Sequence, residues 1–158
     1  MTDVRQNITT WVDETKKALI DEYVSSGRKA SGQWAKELSD ETTVTFDKVN
    51  IKILGAAYTG ALVNGRKPNQ NKENIRAFVG WAGSTFLAQW VKDKGIKASP
   101  YAIAYSIARN GIKVPNQHND GKLIDNVITD ERIAKLLQSI TQVYDIQIRS
   151  EVMKIYNQ

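Results

Sequence analysis

The sequence predicts an α+β fold, with long N- and C-terminal helices packed with a small β-hairpin and two or three further helices. Three observations lead there. Apolar residues recur at helical spacing near both ends. A β-prone stretch with alternating polarity occurs once, between residues 42 and 54. Helix start and stop residues divide the middle of the chain. At 158 residues the chain has the size of one domain, 1–158.

The first helix is expected from Thr2 or Thr10 to Ser26. Ile8, Val12, Leu19 and Tyr23 share a face, and Gly27 is a natural stop. Residues 27–37 (GRKASGQWAKE) read as a loop or short helical turn, with Trp34 and Leu38 as buried points. Thr42 to Leu54 reads as two strands around an Asp47-Lys48 turn, and Val49, Ile51 and Ile53 supply the half-buried alternation. A two-stranded hairpin is marginal alone, so it must lie against a helix or a neighbouring subunit. Ala56 to Val63 is a helical turn ended by Asn64-Gly65. Lys72 to Lys94 is helical along Ile75, Val79, Ala82, Phe86 and Trp90, with a break expected near Gly83. Ser99-Pro100 opens a short helix with Ile103 and Ile107 on one face and Ala104 and Ala108 beside them, closed by Gly111. The last helix opens at Thr129 or Asp130. Its expected buried stripe is Ile133, Leu137, Ile140, Tyr144, Ile148, Val152 and Ile155, packed along the first helix.

Composition excludes several chemistries. With no cysteine there is no disulfide, thiolate metal site or cysteine nucleophile. The single histidine, His118 in NQHND, excludes any two-histidine site from one chain. No apolar run reaches the ~20 residues of a membrane span, and the start lacks the pattern of a signal peptide, so a soluble cytoplasmic protein, or one assembled from the cytoplasm into something larger, is expected. Neither G-x-G-x-x-G, G-x-x-x-x-G-K-[ST] nor G-x-S-x-G occurs. The adjacent carboxylates Asp13-Glu14, Asp21-Glu22, Asp40-Glu41 and Asp130-Glu131 point different ways on a helix and make poor acid–base pairs. No catalytic residue, cofactor or metal is expected.

The net charge of +5 is concentrated in residues 66–122, which hold ten basic and three acidic side chains. That segment suits an anionic partner or a solvated surface. Trp11, Trp34, Trp81 and Trp90 suit base stacking between basic residues, or core and subunit-interface packing. SSGRKASG suits an anion cradle or a plain connection.

Three segments in order carry a resemblance: SSGRKASGQWAKEL after the first helix, AAYTGALVNGRKP after the hairpin, and W-x-x-x-KGI at Trp90 to Ile96 followed by YAIAYSIARNGI. Over residues 20–128 the chain resembles the neck proteins of tailed bacteriophages, also described as head–tail connector or tail-completion proteins. The resemblance implies a virion protein assembled in the host cytoplasm. It implies a homo-oligomeric ring, hexameric or dodecameric, between portal, adaptor and tail proteins, with genomic DNA passing through the lumen and no membrane. It marks Gly65, Arg66 and Pro68 in the post-hairpin motif, Trp90, Gly95 and Ile96 in the second, and Ala104, Ile107, Ala108, Arg109 and Gly111 in the third as structural or interface positions. The chain departs from the family pattern in a longer stretch between Pro68 and Trp90, with GWAGST added. The alternative is a nucleic-acid-binding protein using segment 66–122.

Overall fold

The computed structural model describes residues 4–27, 32–45 and 48–156. In chain order the elements are α1 (Val4–Ser25), α2 (Gln33–Lys36), β1 (Ser39–Val44), β2 (Val49–Leu54), α3 (Thr59–Asn64), α4 (Lys72–Ser84), α5 (Phe86–Asp93), α6 (Pro100–Asn110) and α7 (Asp130–Tyr156). The fold is α+β with long terminal helices, as the periodicity predicts. By contact density it divides into two compact units. One comprises residues 1–22, 39–54 and 124–158, the other residues 23–38 and 55–123.

The first unit is built on α1 and α7. Val4, Ile8 and Val12 meet Leu136 and Val143, and Trp11, Val44, Ile51 and Ile140 pack against that cluster. The helices run antiparallel, because Trp11 Nε1 donates to the Arg132 carbonyl at 2.9 Å and Asn7 Nδ2 to the Ser139 carbonyl at 3.2 Å. Thr15 is fully buried, and its hydroxyl accepts from Arg132 Nη1 at 3.5 Å. The hairpin pairs from Ser39↔Leu54 to Val44↔Val49. β1 starts earlier than its β-prone residues suggest. Ser39, Asp40 and Glu41 are polar, but a two-stranded ribbon buries one face at most and tolerates them. Thr45 donates from N–H and Oγ1 to the Lys48 carbonyl; Phe46 and Asp47 lie outside the described residues.

The expected buried stripe of α7 is corrected. Leu136 and Val143 are buried and Ile140 is half-buried, while Leu137 is 58 % exposed. Ile133, Tyr144, Ile148, Val152 and Ile155 are exposed with it. α7 carries two apolar faces, centred about 110° apart at 100° per residue. Periodicity detects both, but among the described residues only one is buried.

In the second unit Trp34, 1 % exposed, stacks on Tyr23 with ring centroids 4.7 Å apart. Its Nε1 donates to Thr59 Oγ1 at 2.9 Å. Residues 28–31 of the SSGRKASG segment lie outside the described residues. α4, α5 and α6 enclose Ala82, Leu87 and Ala104, with Phe78, Val79, Trp90, Ile103 and Ile107 packed against them. Gly83 is buried, and the Tyr101 ring occupies the space a side chain would need. The helix break falls at Thr85, two residues beyond Gly83. Ser84 Oγ donates to the Gly80 and Trp81 carbonyls and Thr85 Oγ1 to the Trp81 carbonyl, which competes with the helical ladder. The break resets the helical phase. Leu87 is therefore buried, while Phe86, expected on the stripe, is 48 % exposed.

Two predictions follow from the first unit. Leu136→Ala costs about 2–5 kcal/mol in urea unfolding, the range for a truncated core leucine, whereas Leu137→Ala stays within ~0.5 kcal/mol. Equal losses at the two positions would refute the assigned face. Lys16 Nζ lies 2.6 Å from Asp40 and 3.1 Å from Asp13. The hydrogen bond to Asp40, then that to Asp13, raises the Lys16 pKa above its ordinary 10.5. A raised pKa gives stability that is complete below 10.5 and lost as pH climbs through the folded value. Lys16→Gln is thus expected to lose up to ~1 kcal/mol at neutral pH, with the difference shrinking above the ordinary lysine value. Urea midpoints across pH check this, and a difference widening with alkalinity contradicts it.

Candidate functional site

Four of the eleven marked residues, Gly65, Arg66, Pro68 and Gly111, meet at one backbone crossing in the second unit. Gly65 closes α3 and Gly111 closes α6, each donating its N–H to the carbonyl four residues back, Ala61 and Ile107. Their dihedrals are nearly the same, φ 76°, ψ −165° and φ 71°, ψ −167°. That region is open essentially to glycine alone. The residues after them pair as an isolated antiparallel bridge. The Arg66 N–H donates to the Ile112 carbonyl at 2.8 Å, and the Ile112 N–H to the Arg66 carbonyl at 2.7 Å. The crossing is reciprocal. A Cβ on Gly65 would strike the Ile112 carbonyl, and one on Gly111 would strike the Arg66 carbonyl and crowd Pro68.

Arg66 is held inside this corner. Its Nη2 donates to Asn69 Oδ1 at 2.7 Å, and its guanidinium carbon lies 4.0 Å from the Phe78 ring centroid. Nη1 is buried without an acceptor among the described residues. The Asn69 N–H donates to the Ala108 carbonyl at 2.7 Å, and Asn69 Nδ2 to the Asn74 carbonyl at 2.8 Å. Asn71 caps α4 by accepting the Asn74 N–H. The corner therefore fixes the end of α3, the start of α4 and the end of α6 together. Pro68 is exposed and needs no partner for a missing N–H.

The other marked residues sit elsewhere in the unit. Trp90 and Ile107 are half-buried against the Ala82–Leu87–Ala104 cluster. Gly95 follows α5 at φ +63°. Arg109 is exposed on the last turn of α6. Sequence reasoning missed Asn69, Ile112 and Phe78 as members of the corner. An asparagine just before a periodic run is a start signal that points to Asn71; nothing in the sequence alone points to Phe78.

None of the ten basic side chains of residues 66–122 joins an ion pair among the described residues. The ion pairs found there lie in the first unit. The division also separates charge. The first unit holds nine basic and thirteen acidic residues, net −4, and the second thirteen and four, net +9.

Exposed apolar surface occurs on both units. On the first it is the outer face of α7. On the second, Trp81 is 59 % exposed and meets Phe86 edge to face at 5.2 Å between ring centroids, with Phe78 6.0 Å from Trp81 on its other side. His118 is exposed, its ring nitrogen 2.9 Å from Gln117 Nε2. Among the described residues no group of three or more His, Cys, Asp or Glu is placed to hold a metal ion, and no helix is long and apolar enough to cross a membrane.

No family model, curated protein or solved structure matches this chain.

The crossing predicts a graded series. Gly95→Ala meets open space and carries only the strain of positive φ, about 1 kcal/mol. Gly65→Val and Gly111→Ala must also move backbone, and each is expected to cost more than ~2 kcal/mol. Thermal or urea midpoints that rank all three together would show that the bridge is not required.

Proposed function

We propose that this chain is a structural subunit of a tailed-bacteriophage virion. It forms a homo-oligomeric ring in the neck, joining portal and adaptor to tail and continuing the DNA channel. One observation carries the reading: each unit exposes an apolar face of different composition, and the two units have opposite net charge. Unlike faces on one chain suit heterologous contacts, which close into rings when the rotation permits. The resemblance of the GRKP and YAIAYSIARNGI segments to neck proteins supplies the place of such a ring. The reciprocal glycine corner formed by those segments gives them a structural use, which supports a scaffolding role.

Nine exposed basic side chains in residues 66–122, none of them in an ion pair among the described residues, favour a second reading, direct binding to nucleic acid. Salt separates the two. A protein neutralising several phosphates loses affinity steeply between about 50 and 200 mM salt, whereas a ring held by mixed contacts persists.

The expected outcome for the first reading is read in the particle. Mass spectrometry of purified virions detects the chain, and a cryo-EM reconstruction of the neck shows it in rotational symmetry, assembled alone or on a portal–adaptor template. Absence from the particle, or isolated copies without symmetry, sinks the ring and promotes the nucleic-acid reading.

A further inference from the structure

The outer face of α7 is a continuous strip. Ile133, Leu137, Thr141, Tyr144, Ile148, Val152 and Ile155 follow one another at intervals of 4, 4, 3, 4, 4 and 3 residues, a repeat of eleven. Such a repeat stays in phase with a nearly straight helix, so the strip runs about 33 Å without winding away. The six apolar members are between 40 % and 74 % exposed. At those exposures they present on the order of 600 Å², near the ~800 Å² per partner of a stable interface and above the largest patch of many monomers.

Charge selects what covers it. Along the strip the charged residues are Asp130 and Glu151, and Glu151 is paired with Lys154 at 2.7 Å. The cations Lys135 and Arg149 lie on the far side of α7, paired with Glu131 at 2.9 Å and Asp145 at 2.9 Å. A second α7 laid on the strip would bring together two units that each carry net −4. The net +9 unit is the complementary surface, and the most exposed of its described aromatic side chains is Trp81, braced by Phe86. Tryptophan is the side chain most enriched among residues that dominate interface energy.

We infer that the strip Ile133–Ile155 on α7 of one copy is covered by the Trp81–Phe86 anchor of the next copy, a head-to-tail contact between the acidic unit of one and the basic unit of the other. The inference rests on the ring reading and assigns it its two surfaces. It also gives the GWAGST segment a role: that segment carries Trp81 and, through Thr85, the helix break that presents it beside Phe86.

Two variants test this by complementation. One carries Leu137→Ser and Ile148→Ser, the other Trp81→Ser and Phe86→Ser. All four positions are exposed, and urea midpoints and circular dichroism matching the wild type show that the fold is kept. By sedimentation at up to roughly 100 µM the wild type is expected to grow with concentration, and each variant alone to be at least tenfold weaker in association. Mixed, the two variants keep one intact surface each and form a 1:1 dimer that grows no further. A second readout uses the cysteine-free background. Leu137→Cys and Phe86→Cys copies cross-link to each other far more than either does to itself. A monomeric wild type, a mixture that stays monomeric, a Trp81/Phe86 variant that still associates alone, or a Leu137→Cys copy that links mainly to itself overturns the proposal. A neck ring seen in the particle despite any of these leaves the ring reading standing on other surfaces. Absence of a ring from the particle removes that reading even if the contact forms in solution.

Discussion

The first unit depends on α1 meeting α7 across more than a hundred residues of chain. Two side-chain donors on α1, the Trp11 indole and the Asn7 amide, reach backbone carbonyls of α7 and set the register, and the Val4–Ile8–Val12 face then closes on Leu136 and Val143. The hairpin adds Val44 and Ile51 to this cluster and has no third strand among the described residues. Without the helix pair it is a two-stranded ribbon in water, which is marginal at best. The long connection is not an obstacle. Loop-closure entropy rises by only about 0.6 kcal/mol per doubling of length, and much of the connection forms a compact unit of its own.

The second unit is organised by a different constraint. Its helices are short and alanine-lined, so α4 and α6 approach closely through Ala82, Ala104 and Ala108, all fully buried. Such a contact buries little area per residue. The glycine crossing compensates by satisfying backbone groups at both corners and by internalising Arg66 against Phe78 and Asn69. The other cations of the segment face outward and join no ion pair among the described residues, and Lys94 Nζ donates to the Gly27 carbonyl at 2.9 Å. The first unit instead neutralises α7 within itself through Glu131–Lys135, Asp145–Arg149 and Glu151–Lys154. Exposed pairs of this kind contribute little stability, but they leave the charge contrast between the units to be set by composition.

Much of the fold was legible in the sequence, because it rests on local signals. The α1 face of Ile8, Val12, Leu19 and Tyr23, the Ser99-Pro100 start of α6 and the glycine stops at 65 and 111 are written in spacing and residue type, and all lie where those signals put them. The errors share one cause. Periodicity measures which positions are apolar in phase, and says nothing of which apolar face finds a partner. On α7 the richer stripe through Leu137 was the natural choice, and it is the exposed one. Past Thr85 the phase was carried through a break that hydroxyl back-bonding creates, which misplaced Phe86. For the candidate corner, Gly65, Arg66, Pro68 and Gly111 were marked singly. Their reciprocal pairing spans 46 residues and carries no sequence signal.

Polar chemistry favours the face of α7 that turns inward. The outer face is the more apolar, so burial alone would turn it toward α1. Doing so would bring Glu151 toward the helix pair and point Arg132 and Ser139 away from it. Thr15 would then lose its partner in a buried position, and the Trp11 indole and Asn7 amide would lose the carbonyls they reach. Each unmet buried group costs about 1–3 kcal/mol, comparable to burying one large aliphatic side chain. Of the three only Thr15 is fully buried, with Asn7 and Trp11 half-buried, so these contacts offset part of the gain from the richer stripe. The less apolar face that goes inward matches the polar groups of α1, and the more apolar face is left exposed.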